Sequence, residues 1–172
     1  SQALKEDAAV DPINVYGLSK LRGEEAIQRI EPNAIIIRTS WVYSTYGNNF
    51  VKTMIRLMTE REEISVINDQ VGSPTYAYDL ANAIVSIIES KDWKPGIYHY
   101  SNEGEISWFD FASAIKEIKQ FGCKINAIPT TAYPTPAKRP KFSLLDKSKI
   151  KSDYNLQIPE WRASLELMIS KL

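Results

Sequence analysis

Tyr16 and Lys20 are the two residues whose types and spacing most directly indicate chemistry. Residues four apart on a helix lie on the same face. A phenol has an ordinary pKa of about 10, and a nearby ammonium group favours the phenolate, so such a pair can transfer a proton. In carbonyl reduction, an acid of this kind protonates the nascent alkoxide while a cofactor supplies hydride. The same spacing also fits a packing tyrosine beside a solvated lysine, so its context must decide.

The elements around this pair indicate a parallel α/β arrangement. A helix is predicted over residues 15–30, after the turn at Asp11-Pro12 and before Glu31-Pro32. The continuous aliphatic run 34–40 predicts a strand that is buried on both faces, as in a parallel sheet. Open sheets of this kind bind ligands at the carboxyl ends of their strands, which here means residues 39–43.

The rest of the chain predicts further helices and strands and one irregular segment. Helices are predicted at 50–61, 78–88, 106–121 with Ser107 as N-cap, and 159–172, and strands at 64–67, 96–101 and 124–128. Segment 129–140 contains four prolines. Because proline fixes φ and lacks a backbone N–H donor, this segment is predicted to be an extended surface loop.

Composition limits the class of protein and its partners. The 172 residues are 44% hydrophobic and 24% charged with zero formal net charge, which is typical of one soluble globular unit. The balanced charge creates no field that would attract nucleic acid or anionic lipid, and no apolar run reaches the length of a membrane span. We therefore expect neither partner. The single cysteine, Cys123, excludes an intrachain disulfide and favours a cytoplasmic location.

Metal chemistry has little support in the sequence. The only histidine, His99, is far from Cys123 along the chain, so we assign no metal ligand. A carboxylate site for a hard cation such as Mg²⁺ stays open. We expect a structural role for His99, because no second ligand or nucleophile is identifiable near it.

Five blocks of residues, in a fixed order along the chain, resemble a known family. They are Asn14-Val15-Tyr16-Gly17 with Lys20; Arg38-Thr39-Ser40-Trp41-Val42-Tyr43; Gly47-Asn48-Asn49-Phe50; Ser65-Val66-Ile67-Asn68-Asp69-Gln70 with Gly72, Pro74 and Thr75; and Ala132-Tyr133-Pro134-Thr135-Pro136-Ala137 with Arg139 and Pro140. Together they resemble the dTDP-4-dehydrorhamnose reductases of the extended short-chain dehydrogenase/reductase superfamily. The resemblance runs from about Asp11 to the C-terminus, and it is far more specific than the Tyr-x-x-x-Lys spacing alone.

The resemblance implies an α/β fold with two parts. One is the C-terminal part of a Rossmann-like short-chain dehydrogenase/reductase fold, and the other is a small mixed α/β substrate-binding domain. Residues 1–62 would form the end of the nucleotide-binding domain. Residues 63–172 would form mainly the substrate-binding region, with strand 96–101 returning to the main sheet.

The resemblance also implies a reaction and its residues. The family reduces the C4 ketone of dTDP-4-dehydro-L-rhamnose to dTDP-L-rhamnose with NADPH or NADH. By position, Tyr16 is implied to be the proton donor, and Lys20 to bind the nicotinamide ribose and to tune the phenol. Thr39 and Ser40, at the carboxyl end of the buried strand, are assigned to the cofactor with them.

The substrate, a dTDP-linked deoxyketosugar, is implied to contact five residues. Trp41 would form an aromatic wall for the sugar, with an ordinary core tryptophan as the alternative. Asn48, Asn49 and Arg139 would contact the diphosphate, because amide and guanidinium donors suit phosphate oxygens. Alternatively, the asparagines only shape a turn and the arginine is a solvated loop charge. Gln70 is a candidate for the thymine or sugar edge.

The chain departs from the family in one large respect, because no Gly-rich dinucleotide fingerprint is present in the 172 residues. The hydroxyl that completes the family's active site would also precede Ser1. We therefore expect a fragment that alone neither binds NADPH well nor turns over. The strand at 34–39 should have an exposed or substituted edge that pairs with another chain or with an altered N-terminal segment. A homodimer stays open.

Two rival functions remain at this point. One is a nucleotide-sugar epimerase or dehydratase of the same superfamily, against which Trp41 and the block at 134–140 favour the reductase. The other is a non-catalytic binding or regulatory homologue, against which the presence of Tyr16 and Lys20 argues weakly.

Overall fold

The computed structural model describes residues 2–135 and 137–172, and it confirms the predicted mixed α/β fold. Pro136, one residue of the proline-rich block, lies outside the described residues. The helices are α1 (Val15–Ile30), α2 (Phe50–Glu60), α3 (Ala77–Glu89), α4 (Trp108–Lys119), α5 (Ser148–Tyr154) and α6 (Trp161–Ile169). The strands are β1 (Ile35–Thr39), β2 (Val42–Tyr43), β3 (Glu63–Ile67), β4 (Val71–Gly72), β5 (Thr75–Tyr76), β6 (Gly96–Tyr100), β7 (Ile106–Ser107) and β8 (Lys124–Ile128).

Helix α1 has the predicted bounds, and its N-terminus is capped by a side chain. Asn14 Oδ1 accepts a hydrogen bond from the backbone N–H of Gly17 at 2.7 Å, as a good N-cap does. None of the residues of α1 is fully buried. The helix is instead tied to β1 by a bidentate ion pair, in which Arg38 Nε and Nη2 donate to the Glu24 carboxylate at 2.9 and 2.6 Å. This pairing aligns α1 with the strand that it precedes.

The first core surrounds the parallel pair formed by β1 and β6. Their register runs from Ile35 opposite Gly96 to Thr39 opposite Tyr100. The buried residues of this core are Ala83, Ile87, Tyr98, Tyr100 and Ile150. Within the described ranges, β1 pairs with β6 alone, so its other edge carries no strand. Pairing of that edge with another chain stays a prediction.

A second core surrounds the parallel pair formed by β3 and β8. Helices α2 and α4 pack against this pair, and α6 packs against α4. The three helices bury residues such as Val51, Phe111 and Met168. The short pairs β2–β5 and β4–β7 connect the two regions, and β4–β7 places Gly72 opposite Ile106. The division of the chain at residue 62 stays a prediction.

The structure adds the short strands β2, β4 and β5, which the sequence does not predict, and it differs from the predicted helices and loop as well. The helix predicted from 106 begins at Trp108, because Ile106–Ser107 forms a strand before Ser107 caps α4 with Asp110. Helix α5 has no counterpart among the predicted elements, since it has only seven residues and no side-chain cap. A 3₁₀ turn, Thr130–Ala132, interrupts the predicted loop. It forms where the Thr130 N–H donates to Asp69 Oδ1 at 2.8 Å.

Candidate active site

Tyr16 lies at the junction of two cavities. The first, cavity A, has a volume of about 410 Å³ and is lined by Tyr16 together with Trp41, Gln70 and Arg139. The second, cavity B, has a volume of about 690 Å³ and is lined by Tyr16 together with Lys20, Thr39 and Ser40. Tyr16 is 71% exposed, so its side chain is accessible from outside. The structure therefore separates three of the five predicted substrate residues from the predicted cofactor residues, with the predicted acid shared by both cavities.

The predicted pair on α1 has the expected geometry. Lys20 Nζ lies 5.4 Å from the centroid of the Tyr16 ring, within the range of a cation–π contact. The ammonium and the phenol thus lie on one face of the helix. Among the described residues, no carboxylate lies within ion-pair distance of Lys20. Its N–H groups are therefore available to a ligand in cavity B.

Thr39 and Ser40 reach cavity B from the carboxyl end of β1. Thr39 Oγ1 donates to Thr75 Oγ1 at 3.0 Å, and Ser40 Oγ donates to the Ser73 carbonyl at 2.7 Å. Both hydroxyl protons are thus used within the protein, while the oxygen lone pairs can accept from a ligand. Together with Lys20 this donor and acceptor set fits the hydroxyls of a ribose. It offers no Gly-rich turn for a pyrophosphate, so the described residues fit the nicotinamide-ribose end of a dinucleotide only.

Two stacked indoles form the apolar wall of cavity A. The Trp41 and Trp108 rings have centroids 3.7 Å apart and planes inclined by 16°. The family resemblance implies that the Trp41 indole lies against a sugar. The structure shows that one face of this indole is covered by Trp108. Gly72 makes this arrangement possible, because a Cβ atom there would lie 3.0 Å from Trp41 Cζ2 and 2.7 Å from Ser143 Oγ.

Gln70 is buried at the polar side of cavity A. Its Nε2 donates to Thr130 Oγ1 at 3.1 Å, and that hydroxyl in turn donates to Asp69 Oδ1 at 2.5 Å. The hydrogen bonds from Thr130, with Lys141 nearby, hold the pKa of Asp69 below its ordinary value. A carboxylate thus orients the hydroxyl, which orients the amide. The Gln70 Oε1 atom is left to accept a hydrogen bond from a ligand.

Arg139 supplies the positive charge of cavity A. Its side chain is exposed, and no carboxylate of the described residues pairs with it. The preceding residue, Lys138, accepts a hydrogen bond at its carbonyl from Asn14 Nδ2 at 2.8 Å. The Arg139 guanidinium therefore belongs to a loop that is hydrogen-bonded to the N-cap of α1.

Asn48 and Asn49 are not among the residues that line either cavity. Asn49 is the N-cap of α2, where its Oδ1 accepts from the Lys52 N–H at 3.2 Å. Its Nδ2 donates to the Ser44 carbonyl at 2.6 Å. Both polar groups of Asn49 are thus used within the protein, while Asn48 is exposed. Their assignment to the diphosphate stays a prediction.

Comparison with protein families settles the relationship of the chain. A family profile described as the RmlD substrate binding domain matches residues 1–172. The chain belongs to this family. The predicted resemblance to dTDP-4-dehydrorhamnose reductases is confirmed, because the enzyme of that name from Escherichia coli strain K12 is 44% identical over 176 residues. That match covers 97% of this chain and 59% of the relative.

Two further comparisons agree with this membership of the RmlD substrate binding domain family. The spore coat polysaccharide biosynthesis protein SpsK of Bacillus subtilis strain 168 is 41% identical, with 96% of this chain and 57% of the relative covered. The crystal structure of the Bacillus anthracis dTDP-4-dehydrorhamnose reductase in complex with NADP superposes with a TM-score of 0.91 at 41% identity. It covers 98% of this chain and 59% of that one. The chain thus spans under two thirds of the length of these relatives.

Three polar or aromatic residues of this RmlD substrate binding domain line cavity A in addition to the predicted site residues: Asn14, Trp108 and Ser143. Asn14 belongs to the first of the five blocks, but the sequence indicates no role for it in the site. Trp108 is predicted from the sequence only as part of the first turn of a helix. Ser143, which also lines cavity B, carries no sequence signal, because bonds to a distant residue bring it there: its N–H donates to the Val71 carbonyl at 2.8 Å and its hydroxyl donates to the same oxygen at 3.3 Å.

The described ranges of this family member offer no cluster of metal ligands. No group of three or more His, Cys, Asp or Glu side chains in residues 2–135 and 137–172 could hold a metal ion, so the Mg²⁺ alternative gains no support. No helix there has the length and apolar character needed to cross a membrane. His99 lies outside cavities A and B, with Nδ1 3.1 Å from the Leu4 carbonyl oxygen.

Proposed function

We propose that this chain provides the proton-donating tyrosine and the sugar-nucleotide cavity of a dTDP-4-dehydrorhamnose reductase. The reaction is reduction of the C4 ketone of dTDP-4-dehydro-L-rhamnose to dTDP-L-rhamnose with NADPH or NADH. The observation that carries this proposal is the position of Tyr16 between cavities A and B. The acid of a reductase must lie between cofactor and substrate, because the cofactor gives a hydride to the carbonyl carbon while the acid gives a proton to the oxygen of the same group.

Cavity A suits a nucleotide-linked deoxysugar. Arg139 would bind the diphosphate, because a guanidinium offers several N–H donors in a planar fork. The Gln70 Oε1 atom would accept from an N–H or O–H of the thymine or sugar. The indoles of Trp41 and Trp108 would exclude water from the sugar ring, since a deoxysugar has apolar faces. These contacts would hold the C4 ketone against Tyr16.

Cavity B suits the nicotinamide ribose. Lys20 would donate N–H bonds to the ribose hydroxyls, and Thr39 and Ser40 would accept from ligand donors at the end of β1. The cofactor supplies a hydride to C4 when bound. The Tyr16 hydroxyl gives its proton to the C4 oxygen, so that a ketone, a hydride and a proton yield one alcohol and a phenolate. The adjacent Lys20 ammonium stabilises that phenolate before solvent reprotonates it.

We further propose that the 172 residues alone do not turn over. They contain no Gly-rich turn to hold a pyrophosphate, and β1 has an unpaired edge within the described ranges. A dinucleotide-binding half would complete cavity B along that edge. Tight binding of NADPH to the isolated chain, measured by calorimetry, would contradict this part of the proposal.

The function is best tested in a chimera. Residues 1–172 would be fused to the part of the Bacillus anthracis reductase that they do not cover. We expect oxidation of NADPH with dTDP-4-dehydro-L-rhamnose and the formation of dTDP-L-rhamnose. Tyr16→Phe should lower kcat by about 10²-fold or more, the usual contribution of a general acid. Tyr46→Phe is the matched control, because Tyr46 is 85% exposed and outside both cavities.

The product identifies the reaction class. A C4 alcohol with one NADPH consumed for each sugar supports the reductase. An epimerised or dehydrated sugar formed without net NADPH consumption would support the rival superfamily enzymes instead. Equal rates in the wild-type and Tyr16→Phe chimeras would contradict the role of the phenol.

A further inference from the structure

The side chain of Asn14 makes two hydrogen bonds to distant parts of the chain. Its Oδ1 accepts from the Gly17 N–H at 2.7 Å and caps α1 two residues before the phenol of Tyr16. Its Nδ2 donates to the Lys138 carbonyl at 2.8 Å, across 124 positions of sequence. One amide therefore joins α1, which carries the proposed acid Tyr16, to the loop that carries Arg139, the proposed contact of the diphosphate.

The helix side of this bridge is closely packed. A Cβ atom at Gly17 would lie 3.3 Å from Pro12 Cβ and 3.4 Å from Asn14 Oδ1, so the first turn of α1 approaches both residues closely. Asn14 has an extended backbone with φ −153° and ψ 168°, as an N-cap requires. The amide is thereby held in one orientation, with its Nδ2 directed to the loop.

The loop side has few other attachments. At one end, Thr130 is bonded to Asp69, and at the other, the Val71 N–H donates to the Lys141 carbonyl at 2.8 Å. Among the described residues between 133 and 140, the bond from Asn14 is the one hydrogen bond to a distant part of the chain. Within this stretch, the bond from Asn14 to the residue before Arg139 is therefore the hydrogen-bonded link to α1.

We infer that Asn14 is a positioning residue, which sets the separation between Arg139 and Tyr16 and so couples diphosphate binding to placement of the proton donor. The inference rests on the proposed function of cavity A. Binding energy from a part of the substrate remote from the ketone would then orient the ketone against the acid. An asparagine suits the task because its short side chain carries an acceptor for the helix and a donor for the loop.

Two substitutions separate the cap from the bridge. Asn14→Ser and Asn14→Asp both keep a good N-cap acceptor and remove the amide donor to Lys138. If Asn14 were only a cap, both variants would behave like the wild type. Asn33→Asp and Asn33→Ser are matched controls, because Asn33 is exposed and follows the other end of α1.

The bridge itself is tested on the 172-residue chain by limited digestion with trypsin, following cleavage after Lys138 by mass spectrometry. Loss of one neutral hydrogen bond, about 1 kcal/mol, should raise the population of the open loop and the cleavage rate about five-fold in both Asn14 variants. Far-UV circular dichroism and the unfolding midpoint check that α1 is retained. Cleavage at the wild-type rate in both variants would overturn the inference.

The coupling is tested by binding and kinetics. We expect both variants to bind thymidine diphosphate about five-fold more weakly in calorimetry, and their chimeras to show a raised KM together with a lowered kcat. Faster cleavage with unchanged affinity, KM and kcat would overturn the coupling. If the wild-type chimera neither binds thymidine diphosphate nor reduces the sugar, the proposed function fails and the coupling with it, while the cleavage rates still decide whether Asn14 holds the loop.

Discussion

The Trp41 and Trp108 indoles stack with their centroids 3.7 Å apart, although Trp41 lies between β1 and β2, Trp108 begins α4, and the two are 67 positions apart in sequence. Trp41 has a left-handed backbone with φ 49°, which is uncommon for a bulky residue. Its carbonyl accepts from the Thr75 N–H at 3.2 Å, which ties this conformation to β5. The backbone is thus held so that the indole meets Trp108, and the stack forms the wall of cavity A.

Removal of Trp108 should disturb both the wall and its neighbour. For Trp108→Ala we expect a loss of about 2 kcal/mol in the free energy of unfolding, since the side chain is half-buried and packs against Phe50 as well. Affinity for dTDP-sugars should fall, because Trp41 is released. Urea unfolding measures the loss of stability, near-UV circular dichroism detects the release of Trp41, and calorimetry measures the loss of affinity. Trp93→Ala, at an exposed indole outside cavity A, should leave the ligand affinity unchanged.

Gly72→Ala should displace the Trp41 indole by steric overlap. The new Cβ would meet Trp41 Cζ2 at 3.0 Å, and the stack on Trp108 prevents Trp41 from retreating freely. We expect a loss of about 1–3 kcal/mol in the free energy of unfolding, as in other overpacked sites. Gly23→Ala in α1 is the control, because nothing lies within 4 Å of its Cβ, and it should stabilise by about 1 kcal/mol.

The Ser143 hydroxyl is the other group near Gly72, and its oxygen would lie 2.7 Å from a Cβ atom added there. The Ser143 side chain can rotate away from the methyl group that Gly72→Ala adds, so this overlap should cost little. Removal of the hydroxyl in a Gly72→Ala, Ser143→Ala double variant should therefore recover only part of the lost stability, because the overlap with Trp41 remains. Complete recovery in the double variant, measured by urea unfolding, would show that Trp41 is not the obstacle.

Arg139 should dominate the affinity for a diphosphate. Charge-assisted hydrogen bonds contribute about 1.5–3 kcal/mol, so Arg139→Ala should weaken thymidine diphosphate binding about 10- to 100-fold. Arg139→Lys should recover the affinity only in part, because an ammonium lacks the planar fork. Lys138→Ala is the matched control on the adjacent residue, which does not line cavity A. Similar titration curves for Arg139→Ala and Lys138→Ala would contradict the assignment.

Stability should depend on pH through His99. Burial lowers the pKa of His99 below its ordinary value, although the Glu6 carboxylate opposes this shift and Arg38 adds to it. The folded state therefore keeps the imidazole neutral at a pH where the unfolded chain, with a pKa of about 6.5, binds a proton. Stability should thus fall as pH falls below about 6.5, by at most about 1.4 kcal/mol per pH unit.

His99 is the only histidine, so no second imidazole titrates in this pH range. The Glu103 carboxylate titrates in a separate pH range. Hydrogen bonds and ion pairs from Lys151 and Lys147 hold the pKa of Glu103 below its ordinary value, despite its burial, so the stability that ionised Glu103 contributes is lost only near and below about pH 4. Urea unfolding of His99→Gln should show a flatter dependence between about pH 7.5 and 5.5 than the wild type. Parallel curves for the two proteins would contradict the expected titration.

Local signals in the sequence were sufficient for the longer elements and for part of the site. Helix α1 has the predicted bounds because its cap and the flanking prolines act within a few residues. The aliphatic run of β1 and the pairing of Tyr16 with Lys20 are likewise local patterns. The resemblance added Trp41, Gln70 and Arg139, which the structure brings together in cavity A. It also named Asn48 and Asn49, which the structure places outside it.

The sequence by itself determined the longer α/β elements, the family and the helical face that carries the phenol and the ammonium, because each depends on near neighbours or on ordered motifs. Only the tertiary structure decided that Trp108 covers one face of Trp41, that Asn14 reaches Lys138, and that Ser143 lies between both cavities. These contacts join residues that are far apart in the sequence or depend on a loop. Their geometry follows from the tertiary packing of the chain, which no local pattern encodes.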